Sequence, residues 1–442
     1  MLGCLHLGES ALAGPNAEDL ALAKTEYVLK SPIFRTPEAR EQAISFIDKA
    51  TESADEMSPE QFLLCMLRVA AFADNGHDVV NIGDDAWFPN ARVPIRMLWF
   101  RDNWVIARAD SANRDLVGAL VLRVEHKSSA EIFREARNLF GGTDPYRHWN
   151  AEPLLENAGV LHALGLALKP DRLTFDVRLV DGRRVTRTLR FVRKSELPPG
   201  QAPQRVWSPA PWPQEREHGW TAVNPEPTPL YLQQGETNFR VIQLPELDSV
   251  YLQMRTHFDA PEETIAGFEH QADEAISRSH PGNLIVDLRF DSGGDTDLTR
   301  EWQQTLPPRI PGRIYVVVGP YTFSAGIVAA AAFKHDARDR ARIVGEDVGD
   351  RLSWWSEGND VCTRNSKYCL HRTTGLWDLV HGCAGQSECY GDAYHAQVAS
   401  LKPDLYAPLT ARTFLAGRDP AMEAIKRDID RTLGSGRKAA VQ

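Results

Sequence analysis

Short runs of apolar residues alternate with helical segments through the C-terminal half of the 442-residue chain. The runs lie at 250–254, 284–288, 314–318 and 343–344. Strands that alternate with helices form a mostly parallel sheet with right-handed crossovers. We therefore predict an α/β unit over residues 236–434. Ligands of such sheets bind beyond the carboxyl ends of the strands, so the loops that follow the runs are where a functional site is expected.

The rest of the chain divides into regions of different periodicity and composition. Residues 18–90 have helical spacing, with a helix start at Ser58 and a stop at Gly76. Residues 91–195 are β-rich. Nine of the 28 prolines fall within 198–229, which predicts a linker or surface loop over 196–235. Residues 1–17 fit either the remnant of an export signal or an ordinary flexible end.

Five short strands and one helix account for most of the β-rich region. Asp181-Gly182 is typical of the turn of a hairpin between the last two strands. The helix is predicted at 129–140. The strands are predicted at 95–100, 104–108, 119–124, 173–179 and 185–191.

Charge and hydropathy exclude two classes of protein. The net charge of −10, with no long basic run, is unlike that of a nucleic-acid-binding protein. Residues 314–333 contain no charged residue over a length that could span a bilayer. Their β-branched run, Gly-Pro turn and small-residue segment instead favour a buried strand, turn and helix, so we predict no stable membrane span.

Four of the six cysteines cluster in one segment, at Cys362, Cys369, Cys383 and Cys389. Two local disulfides are the favoured interpretation, and they would place the protein in an oxidising compartment. A zinc site with His371 or His381 and a set of free thiols are the alternatives. No C-x-x-C pair is present and the histidine spacing does not fit, so we predict no metal.

Two loops at strand ends carry the candidate chemistry. Gly293 and Gly294 follow one strand, where their backbone N–H groups can turn towards an anion. Ser324 follows another, at a sharp turn into a helix whose N-terminus favours a developing negative charge. The N–H of Ala325 would point the same way. Taken alone, each loop also fits a plain turn or a serine helix cap.

A nucleophilic serine needs a base. Lys334 lies ten residues along the same helix as Ser324, about 15 Å away at 1.5 Å per residue, which is too far. His77 follows a helix stop, where a loop can project its side chain. It is the best-placed histidine by local sequence, although a surface histidine would look the same.

These motifs together resemble the tail-specific (C-terminal processing) serine peptidase family, over about residues 18–431. The resemblance implies a Clp/crotonase-type fold for the α/β unit and a PDZ-like fold for the β-rich region. It implies that Ser324 is the nucleophile and that Ala325 and Gly293 or Gly294 form the oxyanion hole. The motifs are Ala73-Asp74-Asn75-Gly76-His77, Leu284-Ile285-Val286-Asp287-Leu288-Arg289, Thr322-Phe323-Ser324-Ala325-Gly326, Ile343-Val344-Gly345-Glu346 and Leu401-Lys402-Pro403-Asp404-Leu405.

The chain departs from the family pattern at the base. The bacterial branch has a lysine after the Val-Gly-Glu segment, whereas 345–351 contains none, and arginine cannot act as a base. The departure favours a mechanism like that of the tricorn-core branch, with His77 as base. Glu346, Asp350 and Glu357 are candidates to orient it. Further departures are Asp291 in place of asparagine, Ile327 in place of glutamate and Asp78 in place of threonine.

The sequence therefore predicts a serine-type peptidase that forms an acyl-enzyme on Ser324, uses no cofactor and acts on a peptide or protein. A non-catalytic member of the fold that binds a peptide or apolar ligand is one alternative, and a hydrolase of other esters or amides is another. We expect export, periplasmic or secreted, with the cytoplasm as the alternative. We also expect the rate to rise through one ionisation near pH ~6–7, as for free imidazole.

Overall fold

The computed structural model describes residues 14–82, 91–193, 206–391, 394 and 396–439. Residues 1–13 of the predicted export-signal remnant at 1–17 lie outside the described residues, as does the first part of the predicted linker. Cys4 also lies outside them.

Three helices and a short strand form the N-terminal region. They are α1 (Pro15–Leu22), α2 (Pro37–Thr51), α3 (Pro59–Ala71) and β1 (Val80–Asn81). The predicted helix start is confirmed: Ser58 Oγ accepts from the Gln61 N–H at 3.3 Å, and Gln61 Oε1 accepts from the Ser58 N–H at 2.9 Å. This capping box satisfies two N–H groups that the first helical turn would leave unpaired.

The β-rich region is an antiparallel sheet covered by helices. Its elements are β2 (Ala91–Arg92), β3 (Ile95–Trp99), β4 (Trp104–Ala109), β5 (Leu120–Val124), α4 (Ser129–Ala136), α5 (Asp144–Ala151), α6 (Ala158–Ala163), β6 (Arg172–Arg178), β7 (Arg184–Arg190) and β8 (Val192–Arg193). The sheet has the order β3-β4-β5-β6-β7. All five predicted strands are confirmed. The prediction of a single helix is wrong, because α5 and α6 also lie between the strands.

The described part of the proline-rich segment is packed, which differs from the predicted linker or surface loop. It contains α7 (Pro213–Glu217) and β9 (Thr221–Ala222). The Trp207 and Trp212 side chains are buried. The fully buried Arg108 of β4 donates to the carbonyl of Ser208 at 2.6 Å and pairs with Glu215 of α7. These contacts attach the segment to the antiparallel sheet.

The α/β unit is built on one six-stranded sheet. Its first elements are β10 (Phe239–Leu244), β11 (Ser249–Met254), α8 (Ile265–Ser279), β12 (Asn283–Asp287), α9 (Asp297–Thr305), β13 (Ile314–Val318), α10 (Ala325–Ala337) and β14 (Ala341–Gly345). The later ones are β15 (Ser353–Ser356), β16 (Asn359–Cys362), β17 (Cys369–Arg372), β18 (Gly375–Asp378), β19 (Leu405–Tyr406), α11 (Ala411–Leu415) and α12 (Pro420–Ala439).

The order of this sheet, β10-β11-β12-β13-β14-β19, places the two candidate loops side by side. All neighbouring strands are parallel except β10 and β11, which confirms the predicted mostly parallel sheet. Because β12 and β13 are parallel neighbours, the loops that leave their carboxyl ends lie at the same edge.

A small sheet joins the N-terminal region to the α/β unit. Strand β1 pairs with β17, with Val80 opposite Leu370, and β17 pairs with β16. Strands β15 and β18 form a second, two-stranded sheet of the α/β unit. The chain that immediately follows His77 is therefore held by hydrogen bonds to the α/β unit.

Aromatic side chains fill the junction of the three regions. The Phe323 ring stacks on Tyr146 with 4.8 Å between ring centroids. Tyr321 meets Trp149 at 5.1 Å and Trp207 at 5.8 Å. The turn before Ser324 therefore packs against both the β-rich region and the proline-rich segment.

Residues 314–333 fold as predicted, into strand β13, a turn and most of helix α10. Among the described residues, no helix has the length and apolar character needed to cross a membrane.

Two disulfides close short loops in the cysteine-rich segment, which confirms the prediction of two local disulfides and gives the pairing that the sequence left open. Cys362–Cys369 links β16 to β17, and Cys383–Cys389 closes a loop after β18. Thiols oxidised in this way cannot serve as thiolate ligands of zinc.

We predict that the denatured, unreduced protein will titrate at most two thiols, those of Cys4 and Cys65. In the folded protein Cys65 should react slowly, because it is buried on α3 and burial raises its pKa to about 12. Reduction before titration should release four more thiols. Four or more thiols without reduction would contradict the disulfide assignment.

Candidate active site

Ser324 lies in a strained turn between β13 and α10. Its backbone has φ 51° and ψ −122°, a region that side-chain-bearing residues rarely adopt. The neighbouring Thr322 braces the turn: its Oγ1 donates to the Leu288 carbonyl at 2.8 Å and accepts from the Gly319 N–H at 3.0 Å. The Ser324 side chain makes no capping hydrogen bond to α10, unlike an ordinary serine cap. Its half-buried hydroxyl is thereby available for chemistry.

The glycine loop after β12 packs directly against Ser324. At Gly293, with φ 101°, an added Cβ would lie 2.6 Å from Ser324 Cβ, so only glycine fits. The Gly293 N–H already donates to Asp291 Oδ1 at 3.0 Å. In contrast, the N–H groups of Gly294 and Ala325 donate to no other group in the described part of the chain. Of the predicted oxyanion donors, Gly294 and Ala325 are the two left free.

A buried histidine that sequence reasoning missed supports the glycine loop. His257 Nδ1 lies 2.9 Å from Asp291 Oδ2, and both side chains are fully buried. The His257 backbone N–H also donates to the Gly293 carbonyl at 2.8 Å. Asp291, the departure from the family's asparagine, thus has a dedicated partner. One signal could have revealed it: His257 and Asp291 follow β11 and β12, which are parallel neighbours whose carboxyl ends meet.

Asp291 connects this loop to the serine turn as well. Its backbone carbonyl accepts from the Phe323 N–H at 2.9 Å, while its carboxyl group holds the Gly293 N–H. One residue therefore sets the distance between the glycine loop and the turn that carries Ser324.

His77 reaches the same edge of the sheet from the N-terminal region. Its ring stacks on Phe323, the residue before Ser324, with centroids 4.4 Å apart, and lies 6.4 Å from the ring of Trp354. Its neighbour Gly76 allows this approach, because a Cβ there would lie 2.8 Å from the Phe323 ring and 2.7 Å from Asp350 Oδ2. Phe323 thus joins the predicted base to the predicted nucleophile.

The segment that carries His77 is held mainly by residues of the α/β unit that lie on strand β15 or between strands β17 and β18. Asn75 exchanges two hydrogen bonds with the backbone of Trp355, at 2.8 and 3.1 Å. The buried Asp78 accepts from Tyr27 at 2.8 Å and from Thr373 at 2.7 Å. His77 is therefore clamped on both sides in sequence.

Asp350 is the predicted orienting acid that the structure places beside His77. Its Oδ2 lies 3.9 Å from His77 Nδ1. Glu346 instead accepts from the Leu409 N–H at 3.1 Å. Glu357 accepts from the Trp377 indole N–H at 3.0 Å and from the Ser356 hydroxyl at 2.7 Å. Neither glutamate pairs with His77 among the described residues.

Burial sets the ionisation of the His77–Asp350 pair. It lowers the pKa of His77 to about 3, with a smaller contribution from the charge of His371. It raises the pKa of Asp350 to about 6, against hydrogen bonds from the backbone that lower it. The expectation of a free imidazole is therefore wrong. Within the described residues neither nitrogen of His77 has a hydrogen-bond partner, so the one proton-accepting nitrogen of the neutral ring is unoccupied.

The residues around Ser324 offer no set of metal ligands. In the part of the chain that the structure describes, the one cluster with suitable spacing is Asp360, Cys362 and Cys369, and both cysteines belong to a disulfide.

No family model matches the sequence, and no curated protein matches it. Solved structures do match. Mature CPAF complexed with lactacystin aligns over 95% of this chain and 97% of its own, at 13% identity and a TM-score of 0.56. The photosystem II D1 C-terminal processing protease aligns over 93% and 95%, at 12% identity and a TM-score of 0.38. The tricorn protease aligns over 94% of this chain and 36% of its own, at 13% identity and a TM-score of 0.35.

The match to CPAF extends over nearly the full length of both chains, and it establishes a shared mixed α/β fold. At 13% identity a fold does not carry an activity with it, so the function has to be argued from the residues of the site.

Proposed function

We propose that the protein is a serine-type peptidase that cleaves peptide bonds through an acyl-enzyme on Ser324. The observation that carries the proposal is the position of Ser324: an uncapped serine in a strained turn at a helix N-terminus, packed against a glycine loop, with His77 stacked on the preceding residue. A strained strand-to-helix turn that exposes a serine hydroxyl is a recurrent design for nucleophilic serines.

The geometry supports a simple acyl-transfer cycle. His77 accepts the Ser324 proton as Oγ bonds to the scissile carbonyl carbon. The oxyanion lies between the N–H groups of Ala325 and Gly294, at the positive end of α10. The C–N bond breaks as the imidazolium of His77 gives its proton to the leaving amine. Water, deprotonated by His77, then hydrolyses the ester and restores the serine.

Asp350 makes the low pKa of His77 compatible with this role. An imidazole with a pKa of about 3 is a weak proton acceptor. The ionised carboxylate of Asp350, 3.9 Å away, favours the imidazolium form of His77. It therefore makes His77 a stronger base while that residue accepts the Ser324 proton. We assign Asp350 as a positioning residue that orients and charges His77.

The same proposal includes the architecture and the compartment. We assign residues 236–434 to a Clp/crotonase-type catalytic domain, residues 91–195 to a PDZ-like domain and residues 18–90 to a helical region that supplies His77. The two disulfides support export to an oxidising compartment, periplasmic or extracellular. The substrate class is peptides or proteins, and no cofactor takes part.

We predict that Ser324→Ala will lower peptide hydrolysis by about 10⁴-fold or more without unfolding the protein. A fluorophosphonate probe should label the wild type on Ser324, as identified by peptide mass spectrometry, and should not label the variant. The exposed Ser353→Ala is the matched control and should behave as the wild type. Residual activity within tenfold of wild type in Ser324→Ala would overturn the assignment, and an unlabelled, inactive wild type would favour a binding protein.

We predict that the rate will rise with pH through an ionisation near 6, because Asp350 must lose its proton to support the His77 imidazolium. Asp350→Asn should remove this limb and lower the rate by about 10²–10⁴-fold. Asp347→Asn, an exposed carboxyl three residues away, is the control and should keep the limb. A pH profile that is unchanged in Asp350→Asn would refute the role of this residue.

We predict opposite outcomes for two replacements of Asp291. Asp291→Ala leaves the Gly293 N–H and His257 Nδ1 unpaired and buried, so it should cost about 3 kcal/mol of unfolding free energy and lower kcat by about 10²-fold. Asp291→Asn keeps an acceptor oxygen for Gly293 and should stay within tenfold of wild type. Chemical denaturation and steady-state kinetics measure both effects, and equal losses in the two variants would contradict the positioning role.

A further inference from the structure

We propose that Asp360, Cys362, Cys369 and His371 form a Zn²⁺ site when the disulfide between the two cysteines is reduced. The four residues lie on the paired strands β16 and β17. In the oxidised protein the sulfurs are bonded to each other, so the site belongs to the reduced protein alone. The inference does not depend on the proposed peptidase activity.

The register of the two strands brings the four side chains to one face of the sheet. Cys362 lies opposite Cys369, and Asp360 lies opposite His371. Residues two apart on a strand point to the same face, so both pairs project on the same side. The intervening Val361 points to the other side, where it is buried against the N-terminal helices. One face is therefore anchored in the core, and the other presents four groups that bind metals.

The distances between these groups suit a tetrahedral ion. A carboxylate oxygen of Asp360 and the two sulfurs lie within 4.8 Å of one another. His371 Nδ1 lies 2.8 Å from Asp360 Oδ1. Bonds to zinc of about 2.0–2.3 Å place tetrahedral ligand atoms roughly 3.3–3.8 Å apart. Once the bond between the sulfurs is broken, rotation of the side chains can bring all four groups to such separations.

The neighbours of His371 and Asp360 orient both side chains towards the site. His371 Nε2 lies 3.2 Å from the Glu357 carbonyl, which can only accept, so Nε2 carries the hydrogen. In the neutral ring this leaves the lone pair on Nδ1, the nitrogen beside Asp360. A backbone carbonyl at the second nitrogen is a common partner of a metal-bound histidine. Asn81 of β1 donates to Asp360 Oδ2 at 3.4 Å, on the oxygen that does not face His371.

The chemistry of the four ligands selects the metal. Two thiolates and an imidazole are poor ligands for calcium and magnesium, which prefer oxygen. A set of four sulfur, nitrogen and oxygen ligands is typical of tetrahedral zinc.

The disulfide is accessible to a thiol reductant, since Cys362 is exposed and Cys369 is half-buried. A thiolate of a small dithiol attacks one sulfur, breaks the bond between the cysteines and forms a mixed disulfide. The second thiolate of the reductant then releases the protein, which has gained two electrons and two protons, and the reductant leaves as a disulfide. Each protein thiol loses its proton to solvent as zinc binds.

Zinc would preserve a connection that reduction removes. The disulfide links β16 to β17, and β17 in turn pairs with β1, which follows His77. An ion bound by two residues of each strand makes the same link. The small sheet that holds the segment with His77 would therefore stay closed in a reducing environment.

Strand pairing explains why the spacing of the cysteines did not predict this site. The ligands form an Asp-x-Cys and a Cys-x-His pattern on two strands, whereas the usual sequence signal is a C-x-x-C pair. The alternative of a zinc site with His371 thus applies to the reduced protein.

The first experiment measures metal binding in a variant that lacks the other disulfide, Cys383→Ala with Cys389→Ala. After reduction with a phosphine, the protein is titrated with Co²⁺ in the absence of oxygen. We expect one Co²⁺ per chain, with thiolate charge-transfer bands and the visible bands of a tetrahedral ion, and we expect Zn²⁺ to remove both. The unreduced protein should show no bands.

Single substitutions in that variant identify the ligands. Cys362→Ser should abolish the charge-transfer bands, which separates the site from Cys4 and Cys65. His371→Ala and Asp360→Asn should each weaken Co²⁺ binding by at least tenfold. His381→Ala, which removes an exposed histidine beside the other disulfide, is the matched control and should leave binding unchanged.

A second experiment uses the wild-type chain and does not depend on the folding of any variant. Hydrogen exchange of the amides in β16 and β17 should become faster on reduction and slow again by at least tenfold when Zn²⁺ is added. The proposal is overturned if the reduced protein binds no metal, or if Zn²⁺ leaves the exchange rates unchanged. Equal affinity in His371→Ala, Asp360→Asn and their parent would also overturn it, because two thiols alone would then account for the binding.

Discussion

The reciprocal hydrogen bonds between Asn75 and the backbone of Trp355 are the interaction on which the site depends. They attach the loop that ends α3 to strand β15 of the α/β unit, 280 residues away in sequence. The pairing of β1 with β17 secures the other end of the same segment. Between these two attachments, His77 has little freedom except to lie on Phe323. Without these two attachments, nothing would hold His77 of the helical region against Phe323.

The parallel sheet and the N-terminal region each contribute a different part of the candidate site. The parallel sheet brings the serine turn and the glycine loop together, and Asp291 with His257 sets their spacing. The N-terminal region places His77, the proposed base, against Phe323 at the same edge of the sheet. The proposed nucleophile, oxyanion donors and base thus lie in different regions of the chain and come together only where these regions pack.

The features that could be predicted from sequence are those that neighbouring residues encode. The parallel strands, the capped start of α3 and the turn before Ser324 each carry a periodic or capping pattern, and each is found in the structure. Helices α5 and α6 were missed because they are short and begin at Asp144 and Ala158, within a stretch that shows no sustained apolar period. The buried Tyr146 and Trp149 of α5 contact Phe323 and Tyr321, which are far away in sequence and therefore outside any local window.

Three features could not be read from neighbouring residues at all. The His257–Asp291 pair joins positions 34 residues apart and needs the order of the strands to be known. The packing of Trp207 and Trp212 needs the buried Arg108. The pKa of His77 depends on how deeply Phe323 and Trp354 bury it, so a free-imidazole value was the wrong reference.

The central claim is that His77 and Ser324 act as one unit. The most direct measurement is an experimental structure of the protein with a phosphonate covalently bound to Ser324 Oγ. The account predicts the phosphonyl oxygen between the N–H groups of Gly294 and Ala325, with a His77 nitrogen within about 3.2 Å of the modified serine or joined to it by one water. A His77 ring more than about 10 Å from that oxygen, with the Asn75–Trp355 hydrogen bonds intact, would contradict it.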